Sequence, residues 1–245
     1  MFIRATAEFR DPGLGFRDFP EVVRRLSHVV EPLERRYPEF HRTGWRLLGD
    51  TLELARLFPV FDDEGPSRVG LAVLEQQFKN EQERSYVGIW SGQESARVRP
   101  TLACHVGPPD QVHSLDVELR GALDEIDAQL LLDVLRPVVE QFDPVWVEVY
   151  PIGYSEQVFP DKPGVGWMLY LPREITAQQI PEAAALVPMT GPDGRRRGTV
   201  VQSVIGEAFD GDNPRHIEAA ANIDIRMVDQ DLMPCYSDLW PAAGG

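Results

Sequence analysis

Asp124-Glu-Ile-Asp-Ala-Gln-Leu-Leu-Leu-Asp-Val-Leu-Arg-Pro-Val-Val-Glu-Gln-Phe142, followed after one Asp-Pro pair by Val145-Trp-Val-Glu-Val-Tyr150, decides the fold class of this 245-residue chain. Ile126, Leu130, Leu131, Val134, Leu135, Val138, Val139 and Phe142 recur at three- and four-residue spacing, so they form one apolar stripe of a helix that must pack on another element. The six residues after it read as a strand. The same order of elements stands upstream. Met1 to Phe9 reads as a strand closed by the turn Asp11-Pro12-Gly13, and Asp18 then caps a helix whose stripe is Phe19, Val22, Val23, Leu26, Val29, Val30 and Leu33. Glu21 stands where a capping box needs it. Pro32 and Pro137 lie inside the two patterns, and a proline has no N–H to give the preceding turn, so a kink or break is expected near Glu31.

Around these anchors, Gly44 to Leu48 predicts a short strand and Thr51 to Phe58 a helical turn or two. Ser67 to about Asn80 predicts a helix with Val69, Ala72, Val73, Gln76 and Gln77 on one side. Strands are expected at Tyr86 to Trp90, Arg97 to His105, Ser114 to Leu119 and Gly166 to Leu171. A hairpin over Gly191-Pro192-Asp193-Gly194 runs into Gly198 to Val204, and Asn213-Pro214 opens a last helix with a capping side chain before a first-turn proline. The expectation is an α+β protein: a mainly antiparallel sheet with packed helices, in an N-terminal half (1–122) and a C-terminal half (123–245) that can also form a single compact domain. Val29 to Tyr37 resembles Val134 to Phe142, and each is followed later by a Gly-Trp pair, Gly44-Trp45 or Gly166-Trp167. Two related α/β halves explain this, and so does coincidence between two amphipathic helices.

Charge divides the chain unevenly. Residues 1–122 carry 16 basic against 19 acidic side chains, and residues 123–245 carry 8 against 20, within a net charge of −15. Such a surface repels nucleic acid and anionic lipid and attracts basic partners. The N-terminus meets Arg4, Glu8 and Arg10 before any apolar run reaches signal-peptide length, so a cytoplasmic protein that binds no membrane is expected. Cys104 and Cys235 lie far apart without metal-ligand spacing and read as two reduced thiols, although a bridge between them is possible.

Enzyme motifs fail at specific atoms. Neither Lys79 nor Lys162 follows a glycine, which excludes a P-loop, and Gly13-Leu14-Gly15 lacks the third glycine of a dinucleotide fingerprint. The acidic residue that a restriction-type nuclease places two before its lysine is Gln77 or Pro160 here. Asp210-Gly211-Asp212 invites a cation, but Arg215 occupies the position where a calcium loop needs glycine, so a turn plus helix cap is expected and no metal or cofactor. The Arg195-Arg196-Arg197 run sits on a hairpin tip and reads as a solvated loop.

Gly166-Trp167-Met168-Leu169-Tyr170-Leu171-Pro172, Phe209-Asp210-Gly211-Asp212-Asn213-Pro214-Arg215-His216, Asn222-Ile223-Asp224-Ile225-Arg226 and Asp231-Leu232-Met233-Pro234 together resemble the immunity protein 52 family of bacterial polymorphic-toxin and type VI secretion systems. The resemblance covers roughly residues 145–235. It implies a cytoplasmic, non-enzymatic antidote that binds a cognate toxin, often a nuclease of restriction-endonuclease fold, and it brings no catalytic residues with it.

The residues agree at one point. A nuclease presents a positive cleft to phosphate, and surplus carboxylates on an inhibitor steer encounter with that cleft and occlude it. The expected contact residues are Asp161, Asp210 and Asp212 in the loops of the second half, Asp62, Asp63 and Glu64 in an acidic loop of the first, and Tyr154 and Trp240 as aromatic anchors. Two rival readings stand beside this one. One is a hydrolase or transferase with a diffuse site around His105, His113 and His216. The other is an adaptor module of a secretion apparatus. A pocket gathering those histidines would favour the enzyme.

Overall fold

A computed structural model of the protein describes residues 1–122, 124–154 and 158–239. Among these residues nine strands form one sheet: β1 (Phe2–Phe9), β2 (Arg46–Leu47), β3 (Ser85–Trp90), β4 (Val98–Val106), β5 (His113–Gly121), β6 (Trp146–Pro151), β7 (Met168–Leu171), β8 (Ala185–Thr190) and β9 (Arg196–Gln202). Their order is β2-β3-β4-β5-β1-β6-β7-β9-β8, and every neighbouring pair is antiparallel. Among the described residues five α-helices accompany them: α1 (Phe19–Arg36), α2 (Leu52–Ala55), α3 (Arg68–Gln77), α4 (Ala128–Phe142) and α5 (Pro214–Asp229). The architecture is α+β, as the alternation of patterns predicts.

The first strand stands in the middle. Its alternation of Ile3, Ala5, Ala7 and Phe9 with Arg4, Thr6 and Glu8 puts every second residue in the core. On that face α1 and α4 pack side by side, burying Leu26, Val30, Leu33, Leu131, Leu135 and Val138 with Val117, Val147 and Tyr170 of the sheet. On the other face, beneath β6, β7 and β9, α5 buries Ile223 and Met227 against Trp146, Leu169 and Val201. Each fully buried Leu, Ile or Val contributes about 1.5–3 kcal/mol relative to its exposed state.

Several local expectations are corrected. Asp18 makes no cap bond to α1 and instead accepts from the Gly15 amide at 2.7 Å; Glu21 completes no capping box but pairs with Arg24 and Arg25, each at 2.8 Å. Neither proline breaks its helix: α1 continues through Pro32 to Arg36, and α4 through Pro137 to Phe142. Burial of Pro32 with Val29, Val30 and Leu33 on the core face offsets the missing hydrogen bond. Helix α4 starts later than the apolar stripe suggests, because Asp127 Oδ1 caps the Leu130 amide at 2.7 Å. On α3 the side bearing Val69, Ala72, Val73, Gln76 and Gln77 faces a solvent-open groove, and the buried positions are Gly70 and Leu74. The two similar segments, 29–37 and 134–142, lie on the α1–α4 pair. The strand after α1 is β2, four places from β1, whereas the strand after α4 is β6, two places from β5.

Candidate interaction surface

Between β9 and α5 the chain makes a loop tied down by its own side chains. Phe209 is fully buried, its ring 5.2 Å from that of Tyr154 and 5.6 Å from that of His216. His216 Nδ1 accepts from the Asp210 amide at 2.9 Å, and its Nε2 lies 3.3 Å from Glu207 Oε1. Asp210 Oδ1 accepts from the Asp212 amide at 3.0 Å and Asn213 Oδ1 from the Arg215 amide at 3.0 Å, so the Asp-Gly-Asp-Asn-Pro run is the expected turn and cap.

Across from this loop stands the start of α4. Together they enclose a cavity of about 730 Å³ whose lining includes Asp124, Asp127, Glu207, Asp210 and His216. Asp127 is countered by Arg36 at 2.9 Å, and among the described residues the ion-pair partner of Glu207 is His216. Four carboxylates round one mouth suit a guanidinium or ammonium group, whose hydrogen bonds to carboxylate are the strong charge-assisted kind. Asp210 also lines a second cavity of about 400 Å³ with Tyr154, Asp212, Met1, Phe2 and Pro151. Of the residues expected from the sequence, the structure thus brings together Tyr154, Asp210 and Asp212.

The others lie apart from these cavities. Asp161 is exposed before β7, its carbonyl accepting from the Tyr236 amide at 2.8 Å and its carboxylate 3.9 Å from Cys235 Sγ. Asp62 Oδ1 accepts from the amides of Glu64 and Gly65 at 3.0 and 3.1 Å, closing a turn whose three acidic side chains are exposed ahead of α3. Trp240 lies outside the described residues. The histidines do not converge. His105 pairs with Ser114 across β4 and β5, so His113, one residue earlier, points to the opposite face. His105 is exposed beside Tyr86, while His113 is buried against Phe9 with burial pulling its pKa down, and His216 belongs to the loop described above.

Sequence reasoning missed the half-open face of the sheet opposite α1 and α4. It carries Arg4, Thr6 and Glu8 of β1, Arg99, Thr101 and His105 of β4, and Asp116, Glu118 and Arg120 of β5, all at least partly exposed. The strict alternation in Phe2–Phe9 and His113–Arg120 was the available signal. Toward α5 this face turns acidic and dry. Glu148 on β6 is pushed up to about 7 by burial, with Asp224 of α5 adding to the rise, and Asp224 itself is raised by burial to about 6. Glu8 is likewise raised by burial to about 7, with Asp116 and Glu148 nearby. Glu148 Oε1 accepts from the Gly164 amide and Asp224 Oδ1 from the Val165 amide, both at 2.9 Å, so two buried carboxylates clamp consecutive peptides leading into β7. Among the described residues no group of three or more His, Cys, Asp or Glu is arranged to hold a metal ion, and no helix is long and apolar enough to cross a membrane.

Among solved structures the fold is similar to that of a T6SS protein of Pseudomonas aeruginosa, with a TM-score of 0.50 and 14% identity, over 91% of this chain and 76% of that one. No curated protein matches the chain. The model of the family described as immunity protein 52 matches residues 18–235.

Proposed function

The chain belongs to the immunity protein 52 family, and from that premise we propose that it neutralises a cognate secreted toxin by stoichiometric binding, transforming no substrate itself. The toxin in this reading is a nuclease of restriction-endonuclease fold, met in the cytoplasm. The observation that carries the reading is the gathering of Asp124, Asp127, Glu207 and Asp210 around one cavity, with Asp212 and Tyr154 at the next. A nuclease holds its phosphates with Arg and Lys, and a mouth of carboxylates offers those same cations a competing partner. Phe209 and the backbone bonds around it hold the loop in place before the partner arrives, which lowers the ordering cost of binding. His105 and His113 face opposite sides of the sheet, so the histidines named for the rival enzyme reading do not share one pocket.

Mixing the purified protein with the toxin's nuclease domain at rising salt tests this. Full inhibition at one-to-one stoichiometry, with an association rate that falls as salt rises, is expected. A nuclease that remains active beside an equimolar amount of this protein refutes the reading.

A further inference from the structure

The half-open face holds a feature of the opposite sign. Arg99 of β4 and Arg120 of β5 are direct cross-strand partners, so their side chains leave the sheet on the same side. Like charges directly opposed destabilise an antiparallel pair. Both line a cavity of about 440 Å³ together with Phe2, Trp90, Thr101 and Glu118. The cavity also includes Glu94, but each carboxylate is already held: Glu118 by Arg4 at 2.5 Å and Glu94 by Arg56. Among the described residues neither Arg99 nor Arg120 has an ion-pair partner; Arg120 lies over the Phe2 ring at 4.3 Å, and Arg99 is exposed. Trp90 is fixed as a wall by its indole, which donates to the Ala55 carbonyl at 3.0 Å.

We propose that this cavity is a socket for a carboxylate, the side chain of an Asp or Glu presented by a protein partner. Two arginines lining one cavity offer a carboxylate charge-assisted bonds, and an anion there removes the repulsion that the register imposes. Net charge decides against a polyanion. At −15 the chain repels nucleic acid as a whole, whereas a single carboxylate carried on a protein feels mainly the local pair. The surroundings suit a protein as well. Leu52 lines the socket at 49% exposure, and Leu54 and Leu57 nearby in sequence are 44% and 60% exposed, so a carboxylate-bearing partner also finds apolar surface to cover. The partner can be the toxin of the proposed function, whose acidic side chain would enter here while its cations meet the Asp210 cavity. The socket itself is defined without reference to that toxin.

The test is a titration of the isotope-labelled full chain, without toxin, with the peptide acetyl-Ala-Glu-Ala-amide and with its Gln counterpart, followed by NMR. The Glu peptide is expected to shift the Trp90 indole, the Thr101 amide and the guanidinium signals of Arg99 and Arg120. Binding should weaken about tenfold or more in R99Q and in R120Q, which lie on the surface and leave the core intact. Equal shifts from the Glu and Gln peptides, or wild-type titration by both variants, overturn the proposal. So does saturation by a short oligonucleotide under conditions where the Glu peptide produces no shift. Because no toxin is present, failure here leaves the immunity reading standing. Failure to inhibit a nuclease likewise leaves this titration interpretable.

Discussion

Replacing Glu148 by Gln should stabilise the protein above neutral pH and do little below pH 5. Glu148 is 7% exposed, and its pKa rises from an ordinary 4.5 to about 7 because burial penalises the charged form and Asp224 adds repulsion. A carboxyl whose pKa is raised on folding supports the native state fully below its unfolded pKa. That support is lost as pH climbs through the folded value, here between about 4.5 and about 7. With about 1.4 kcal/mol for each pKa unit, the lost contribution is about 3 kcal/mol. Gln keeps an oxygen to accept from the Gly164 amide and carries no charge to bury. Glu8 and Asp224 titrate against Glu148 and shed protons more easily once it is neutral, which spreads the change over a wide pH range. Urea denaturation of wild type and E148Q at pH 5 and pH 8 measures the difference directly. A gain for E148Q at pH 8 of roughly 2–3 kcal/mol, shrinking toward zero at pH 5, is expected. A variant destabilised equally at both pH values would show that Glu148 is held as a charged group, and the reasoning would be wrong.

Other consequences follow from single residues. D212K, which leaves the Asp210 turn bond in place, should slow association with a basic nuclease toxin several-fold at low salt and less at high salt, read by stopped flow, with little change in melting temperature. Gly198→Ala drives a Cβ into the Leu171 carbonyl and to 2.6 Å from the Tyr170 ring, so it should cost at least about 1–3 kcal/mol, visible as a fall of several degrees in a thermal melt. Asn213→Ala removes the cap at the start of α5 and should cost about 1 kcal/mol, or about 2–4 °C in the same melt. Thiol titration of the native protein should count one rapidly reacting cysteine. Cys104 is buried with its thiol pushed up to about 12 by burial, whereas Cys235 is half-buried beside Lys162 at 2.7 Å; a second prompt thiol would contradict this.

Local chemistry made much of this legible in advance. Asn213-Pro214 announces α5 because a cap and a first-turn proline act within one helical turn, and the alternation of Phe2–Phe9 announces a strand because side chains leave its two faces in turn. Register and strand order are long-range. Nothing near Arg99 says that Arg120 will stand opposite it, and nothing near Glu207 says that Asp124 will share its cavity. The same distance accounts for Asp18, which offers a cap by spacing yet finds the Gly15 amide nearer. That Asp210, Asp212 and Tyr154 lie close together follows from local chemistry, since the first two share one turn and the third packs on the phenylalanine that precedes it.

The central place of β1 bears on how the protein comes off the ribosome. Residues 2–9 precede both of their neighbours, residues 113–121 and 145–151, so one margin of this strand stays bare until about residue 121 is made and the other until about residue 151. The ladder around β1 cannot close before β5 and β6 emerge. Translation speed and chaperone access over that interval therefore bear, alongside the stability of the finished molecule, on how much of the chain reaches its folded state.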